Sequence, residues 1–320
     1  MVLPKLAGKN MIDNNKISVI IRTMGNRNDM LGRALFSLYC NYYPDKEVVI
    51  VYQGGDTKTL EQIKSWQNIY DGMEYKFIQN TPPANEPDKD LRSDNINKGI
   101  TAATGRYICF LDDDDTLAPT HFNGLIQAID DNNTAWACGN VMMDIELDNY
   151  IYKKSTHFSY NKFSYVQLLI ENFITIHSYV IDRNRINKDF ELKFNTELEL
   201  YEDYEFALRL AYNHTPYHLD KVVAFYKVRT DNTNSFEFDK AGDTAKNTKR
   251  DRAGQKLEQL KQQLFDGNIL TKEMRQIITK KEVREVLNTK KLFRFKTRVG
   301  SKRRFKIELY KLLKPKKQVI

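Results

Sequence analysis

Between residues 16 and 111 the chain switches repeatedly between short β-branched runs and stretches of helical apolar spacing, and few folds accept that pattern. KISVIIR (16–22) reads as a buried strand that ends in the polar loop Thr23, Met24, Gly25, Asn26, Arg27. Asp29 is placed to cap the next segment, MLGRALFSLYCNYY, whose Leu31, Leu35, Leu38 and Tyr42 keep helical spacing until Pro44 stops it. EVVIVYQ gives a second strand, ended by Gly54 and Gly55. Strand, helix and strand joined by short turns require parallel pairing with a right-handed crossover. The pattern repeats with a helix over 57–70, a strand over 74–79, a loop through Pro82, Pro83 and Pro87, a helix over 92–103 and a fourth strand, RYICFL. The fold class is therefore α/β, with a parallel sheet flanked by helices. Open sheets of this kind bind ligands beyond the carboxyl ends of their strands, so the loops after Arg22, Gln53, Gln79 and Leu111 should share one crevice.

The second half is less regular. Strands are expected over 134–143, 177–183 and 222–228, and a helix over 201–212; beyond residue 236 the β-branched runs vanish, leaving charged helices over 242–264 and 271–287. This divides the chain into an N-terminal extension (1–15), an α/β domain (16–236), a helical extension (237–290) and a basic tail (291–320). Trp66 and Trp136 are read as core. Cys40, Cys109 and Cys138, an odd number without metal-type spacing, argue against a disulfide framework or a cysteine zinc site.

The formal net charge of +8 invites a polyanionic partner, but its location matters. Residues 271–320 carry 18 Lys and Arg against 4 Asp and Glu, which leaves 32 basic and 38 acidic residues in the first 270. The body is mildly acidic and only the tail is basic. A nucleic acid would be repelled by all but the tail, so no nucleic-acid partner is expected. No apolar run approaches the ~20 residues of a spanning helix, and the start lacks the pattern of a signal peptide. The cytoplasm is the expected compartment.

The most informative motif is LDDDDTLAP, which follows RYICFL directly. Four consecutive carboxylates repel one another and by themselves suit a solvated loop or a helix cap. Delivered by a buried strand to a ligand crevice, they call for a compensating cation, and hard divalent ions take oxygen ligands.

Together with this run, KISVIIRTMGNR, EVVIVYQGG, LRSDNINKGITAATG and LYEDYEFALRLA resemble, in order and approximate spacing over residues 16–236, glycosyltransferase family 2, inverting enzymes of the GT-A fold. The resemblance implies a mixed, mainly parallel sheet, a nucleotide-diphosphate sugar donor, a UDP-sugar first, a divalent metal (Mn2+ or Mg2+), and transfer to a hydroxyl of a glycan or lipid-linked acceptor in cell-surface polysaccharide or lipopolysaccharide synthesis. It maps the metal-binding acidic motif onto Asp112, Asp113 and Asp114, with Asp114 on the metal, Asp112 near the donor ribose, and the register within the four aspartates open. It assigns Thr23 to Arg27 to the base and ribose, and Arg92 to the donor phosphates; the other reading of Arg92 is a solvated helix start. Where many relatives carry an acidic residue after the second strand, Gln53 stands here, able both to donate and to accept toward a base.

Inverting transfer needs one group to take the acceptor's proton. The resemblance makes Asp203 of the Glu202–Asp203 pair that base. Tyr204, Ala207, Leu208 and Ala211 define a buried helix face that puts Asp203 in the first turn, where the dipole favours an ionised carboxylate. The alternative is that Glu202 or Asp203 merely caps the helix. Glu202, His177 and Arg229 are further contacts for acceptor or diphosphate; Arg229 stands where relatives often have His, and His177 could equally be a packed core histidine.

In the tail, Phe305, Leu309, Leu312 and Leu313 form one apolar stripe flanked by Lys302, Arg303, Lys306 and Lys314. Such a helix suits an anionic membrane surface, placing the protein peripherally on the inner face of the cell membrane; docking on a protein is the alternative. The acidic crevice also suits a nucleotidyltransferase of the sugar-nucleotide type; a non-catalytic membrane-associated adaptor on the same fold is a further alternative, which the intact acidic run and Asp203 disfavour.

Overall fold

The computed structural model describes residues 14–86, 89–147, 150–158, 162–229, 244–262, 265–266 and 269–270. β1 (Ile17–Thr23), α1 (Asn28–Tyr39), β2 (Lys46–Gln53), α2 (Thr57–Ser65), β3 (Glu74–Asn80), α3 (Arg92–Ala102) and β4 (Tyr107–Asp112) follow one another in the expected order. β1 pairs in parallel with β2 and β4, and β2 with β3, giving the strand order β3-β2-β1-β4. The chain moves outward from β1 through β3 and then returns to β1's other edge, so the switch in direction falls between β1 and β4. A crevice opens beyond the strand ends at such a point.

Side-chain alternation explains the nearly continuous apolar runs. Ile20, Val49, Val51, Ile108 and Phe110 enter one core with Ile96 and Ile100 of α3, while Val19, Ile21, Val48, Ile50 and Cys109 enter the other with Leu31, Leu35 and Leu38 of α1. Both faces are covered, so both must be apolar. Trp136 is fully buried, whereas Trp66 is half-buried and stacks on Tyr70 at 5.6 Å. The Trp66 ring also underlies Gly32, where an added Cβ would lie 2.4 Å from it.

Two local expectations are corrected. Asp29 does not cap α1: Arg27 occupies the cap position without a side-chain cap bond, and Asp29 lies inside the first turn, where its charge still favours the dipole. The second helix stops at Ser65, and a 3₁₀ turn over Trp66–Asn68 follows it.

The second half comprises β5 (Thr116–Leu117), α4 (His121–Asp131), β6 (Trp136–Leu147), β7 (Tyr150–Phe158), α5 (Tyr165–Ile170), β8 (Tyr179–Asp182), α6 (Glu202–Asn213), β9 (Tyr217–Arg229), α7 (Thr244–Gln262), β10 (Phe265–Asp266) and β11 (Ile269–Leu270). β8 joins β4 antiparallel, β6 joins β8 antiparallel, and β9 lies parallel to β6 on its other edge. The result is a nine-stranded mixed sheet in the order β3-β2-β1-β4-β8-β6-β9-β5, with β7 paired to β6. α4, α5 and β7 were not anticipated, although Phe122, Leu125, Ile126 and Ile129 of α4 keep helical spacing and are buried. All three cysteines are free thiols. α7 answers to the helix expected over 242–264; the boundary at residue 236, the helix over 271–287 and the basic tail lie outside the described residues.

Candidate active site

Arg22, one residue before the end of β1, and Asp112, the last of β4, stand side by side in direct register across the switch point. The Arg22 guanidinium grips Asp112 with Nε at 2.7 Å from Oδ1 and Nη2 at 3.3 Å from Oδ2. Its Nη1 donates at 2.7 Å to Glu202 Oε1, the first residue of α6. Tyr201, just before, has φ of +66°, a left-handed conformation uncommon for a bulky residue, and it turns the chain into α6 at this point. Burial raises the pKa of Asp112; the charge and bonds of Arg22, with His177 and Arg92 beyond, more than reverse this and hold its carboxyl below the usual range.

Asp203 is half-buried in the first turn of α6. The cap position belongs to Tyr201, so neither acid is the N-cap; Asp203 Oδ1 accepts from the Tyr204 N–H at 2.7 Å, and Asn172 Nδ2 donates to Oδ2 at 3.4 Å. Burial, then the adjacent Glu202 charge, pushes the Asp203 pKa up to about 6. That is suited to accepting a proton near neutral pH.

The four aspartates separate by direction. Asp112, Asp114 and Asp115 each present an oxygen within 4.8 Å of the others. Asp113 is buried beside Thr23 and lies 3.4 Å from Arg27 Nη1. Of the four aspartates, whose register the sequence leaves open, Asp112, Asp114 and Asp115 form the cluster and Asp113 stands apart from it. Burial and the Asp114 charge push the Asp113 pKa up to about 7. Asp114 Oδ2 stands 3.1 Å from both Nη1 and Nη2 of Arg229, and 3.4 Å from Arg27. Asp115 is held from behind: its Oδ1 accepts from the Lys227 N–H at 2.8 Å, and its Oδ2 lies 3.0 Å from His177 Nδ1, poorly aligned for a hydrogen bond. Burial, opposed by His177, leaves the Asp115 pKa at about 6.

His177 is itself buried and stacked on Tyr226, so it supports Asp115 from behind rather than lining the open crevice. Arg92 is held by Asp90, with Nη2 2.8 Å from its carboxylate, and Nη1 reaches within 4.0 Å of Glu202. Gln53 is oriented at both ends of its amide, accepting from Asn95 Nδ2 at 3.2 Å and donating to the Lys89 carbonyl at 3.3 Å.

Sequence reading missed Arg22, Asn172 and Lys227 as parts of this site. A charged residue closing a β-branched strand was the available signal for Arg22; for Asn172 and Lys227, which come from distant elements, there was none. Oxygen donors at this spacing suit a hard divalent ion. Asp115 Oδ2 is buried with only the poorly aligned His177 Nδ1 beside it, and burial together with neighbouring carboxylates raises the pKa of Asp113 and Asp115 despite Arg27 and His177. The residues therefore fit a divalent cation.

The family model described as glycosyl transferase family 2 matches residues 18–190. A GalNAc(5)-diNAcBac-PP-undecaprenol beta-1,3-glucosyltransferase of Campylobacter jejuni is 25% identical over 181 residues, covering 55% of this chain and 56% of that protein. The match spans little more than half of that relative's own length. Among solved structures, S. aureus TarS 1-349 in complex with UDP-GlcNAc superposes with a TM-score of 0.54 at 16% identity, over 93% of this chain and 90% of that one. The mannosyltransferase PcManGT of Pyrobaculum calidifontis, in complex with GDP-Man and Mn2+, gives 0.50 at 13% identity, over 94% and 70%. At these identities the structural likeness establishes the GT-A fold.

Proposed function

The chain belongs to glycosyltransferase family 2 and is a glycosyltransferase, and from that premise we propose that it is metal-dependent and inverting, with Asp203 as general base. The observation that carries this reading is the placement of Asp203, half-buried with its pKa pushed up to about 6, at the head of α6, which Arg22 ties to the acidic cluster. Asp203 takes the proton of the acceptor hydroxyl as that oxygen attacks the anomeric carbon, opposite the departing nucleoside diphosphate. The Tyr204 N–H and Asn172 fix the carboxyl for that transfer. A divalent ion held by Asp114, with Asp112 and Asp115 beside it, would neutralise charge on the leaving diphosphate.

Arg27 and Arg229, both on Asp114, are guanidinium forks suited to the diphosphate. Thr23, Gln53, Asp112 and Asp113 are assigned to the nucleotide. Arg92, held by Asp90 and near Glu202, belongs to the boundary between donor phosphates and acceptor. A UDP-sugar donor is supported by the UDP-GlcNAc complex of TarS, and a lipid-linked acceptor by the name of the Campylobacter relative. Synthesis of a cell-surface polysaccharide or lipopolysaccharide follows from such an acceptor.

No helix among the described residues is long and apolar enough to cross a membrane. Peripheral attachment to the cytoplasmic face is supported by the basic, amphipathic sequence of residues 291–320.

The test is a panel of nucleotide sugars incubated with the purified chain and a polyprenyl-linked glycan. Mn2+-dependent release of nucleoside diphosphate, with inversion at the transferred sugar, is expected. Release of pyrophosphate would make it a nucleotidyltransferase, and no turnover of any donor would favour the non-catalytic adaptor.

A further inference from the structure

Behind the acidic cluster, β9 makes consecutive contacts that end on it. Tyr226 stacks on His177, the Lys227 N–H donates to Asp115, and the Arg229 guanidinium meets Asp114. Opposite it, on its partner strand β6, lies a buried charge network. Lys227 is paired directly opposite Asp144 of β6, and its ammonium lies 2.6 Å from Asp144 Oδ2 and 3.7 Å from Glu146 Oε1. Asp144, Glu146 and Lys227 are all buried. Arg33 of α1 closes the network, with Nη1 3.1 Å from both Glu146 oxygens, and Lys154 Nζ lies 3.6 Å from Asp144 Oδ1.

We propose that Lys227 is a positioning residue: its ammonium, clamped on Asp144 and Glu146, sets the register of β9 so that its own N–H and the Arg229 guanidinium hold Asp115 and Asp114 in place. Buried carboxylates left without their cation are strongly destabilised, so the strand stays where the ammonium can reach both. The same residue thereby serves two jobs through different atoms, the side chain toward β6 and the main chain toward the cluster. The link to metal and donor rests on the function proposed above; the link between the clamp and Asp115 does not.

Two readouts on the purified full chain separate these. Residue-level hydrogen–deuterium exchange on the metal-free protein reports the amide of residue 227 directly, and paramagnetic resonance of free Mn2+ reports the cluster. In Lys227→Met the amide is expected to exchange about tenfold faster, the loss of one charge-assisted bond, and Mn2+ to bind about tenfold more weakly, from misplaced ligand support. Lys227→Arg keeps the cation and should restore both. Asp144→Asn, which leaves the lysine on Glu146, should move both readouts in the same direction by less, and it serves if Lys227→Met does not fold. A Lys227→Met protein that melts earlier but keeps wild-type exchange at residue 227 overturns the proposal and makes the network merely structural. If the wild-type chain binds no Mn2+, the metal reading fails instead, and the exchange rate at residue 227 still decides the role of the clamp.

Discussion

Arg22 and Glu202 lie 180 positions apart in the chain, yet Arg22 Nη1 stands 2.7 Å from Glu202 Oε1. The other edge of the same guanidinium holds Asp112. One largely buried cation thus joins the end of β1, the end of β4 and the head of α6, and with them the acidic cluster and the turn that carries Asp203.

Arg22→Met strands two carboxylates in a largely buried site. Breaking a buried pair from one side costs about 3–5 kcal/mol, and urea unfolding of the metal-free protein should show a loss of that order. Arg22→Lys should recover only part of it, because an ammonium cannot serve two acids with a rigid fork. Equal stability of all three proteins would show that the guanidinium is dispensable.

Asp203→Asn removes the proposed proton acceptor and little else. Turnover should fall by about 10²–10⁴-fold, the range for a lost general base, while calorimetry finds donor and Mn2+ affinities near wild type. The pH dependence follows from the same residue. Its pKa is raised to about 6, so the ionised form, which alone accepts the proton, is present above that value and lost below it. The kcat/KM profile should therefore drop about tenfold per unit as pH falls below 6.

Asp114→Asn removes the carboxylate at the centre of the cluster. Mn2+ at a hundredfold excess over its dissociation constant stabilises a one-site protein by about 2.7 kcal/mol. The wild-type melting temperature should rise accordingly on adding Mn2+, and the variant should need at least about tenfold more ion, as loss of one ligand entails.

Stability of the metal-free protein should fall as pH rises from 6.5 to 8. Asp113, with its pKa raised to about 7, binds its proton more tightly folded than unfolded, so its contribution is full below the unfolded value and lost as pH passes 7. His177, raised because the carboxylate of Asp115 outweighs its own burial, has the same sign. Glu47 is opposite: despite burial, Lys76, Ser18 and Thr104 lower it to about 2, so its contribution disappears only in acid, outside this window. His121, lowered to about 4 by burial, loses its contribution as pH falls through the ordinary histidine value, so in the lower part of this window it opposes Asp113 and His177. Melting curves at pH 6.5 and 8 test the sign, and Mn2+ should shrink the difference by compensating the ionised cluster.

Much of the first half was legible because its signals are local. A strand buried on both faces must be apolar along its whole length, so KISVIIR, EVVIVYQ and RYICFL could be placed to within a residue or two of β1, β2 and β4. The helix beginning near residue 201 was legible for the same reason, its buried face recurring at helical spacing. α4 carries an equally clear stripe in Phe122, Leu125, Ile126 and Ile129. α5 is one short helix, and β7 mixes polar and apolar residues, so neither offered a strong period. Within the acidic run the period fails altogether, since four identical side chains carry no pattern, and only the turn after β4 decides that Asp115, not Asp113, joins Asp112 and Asp114.

The sequence by itself determined the parallel α/β frame, the acidic run at the end of its fourth strand and the acid pair at the head of a later helix, because each depends on neighbours within a few residues. Only the tertiary structure decided how these parts meet. Arg22 bridges Asp112 to Glu202, Lys227 backs Asp115 from β9, and Arg229 closes on Asp114, in contacts between elements that the strand order β1-β4-β8-β6-β9 brings to one side of the sheet. Burial then does what no local pattern can foretell: it makes each unpaired carboxylate costly, so the arginines and the lysine are drawn to partners far along the chain.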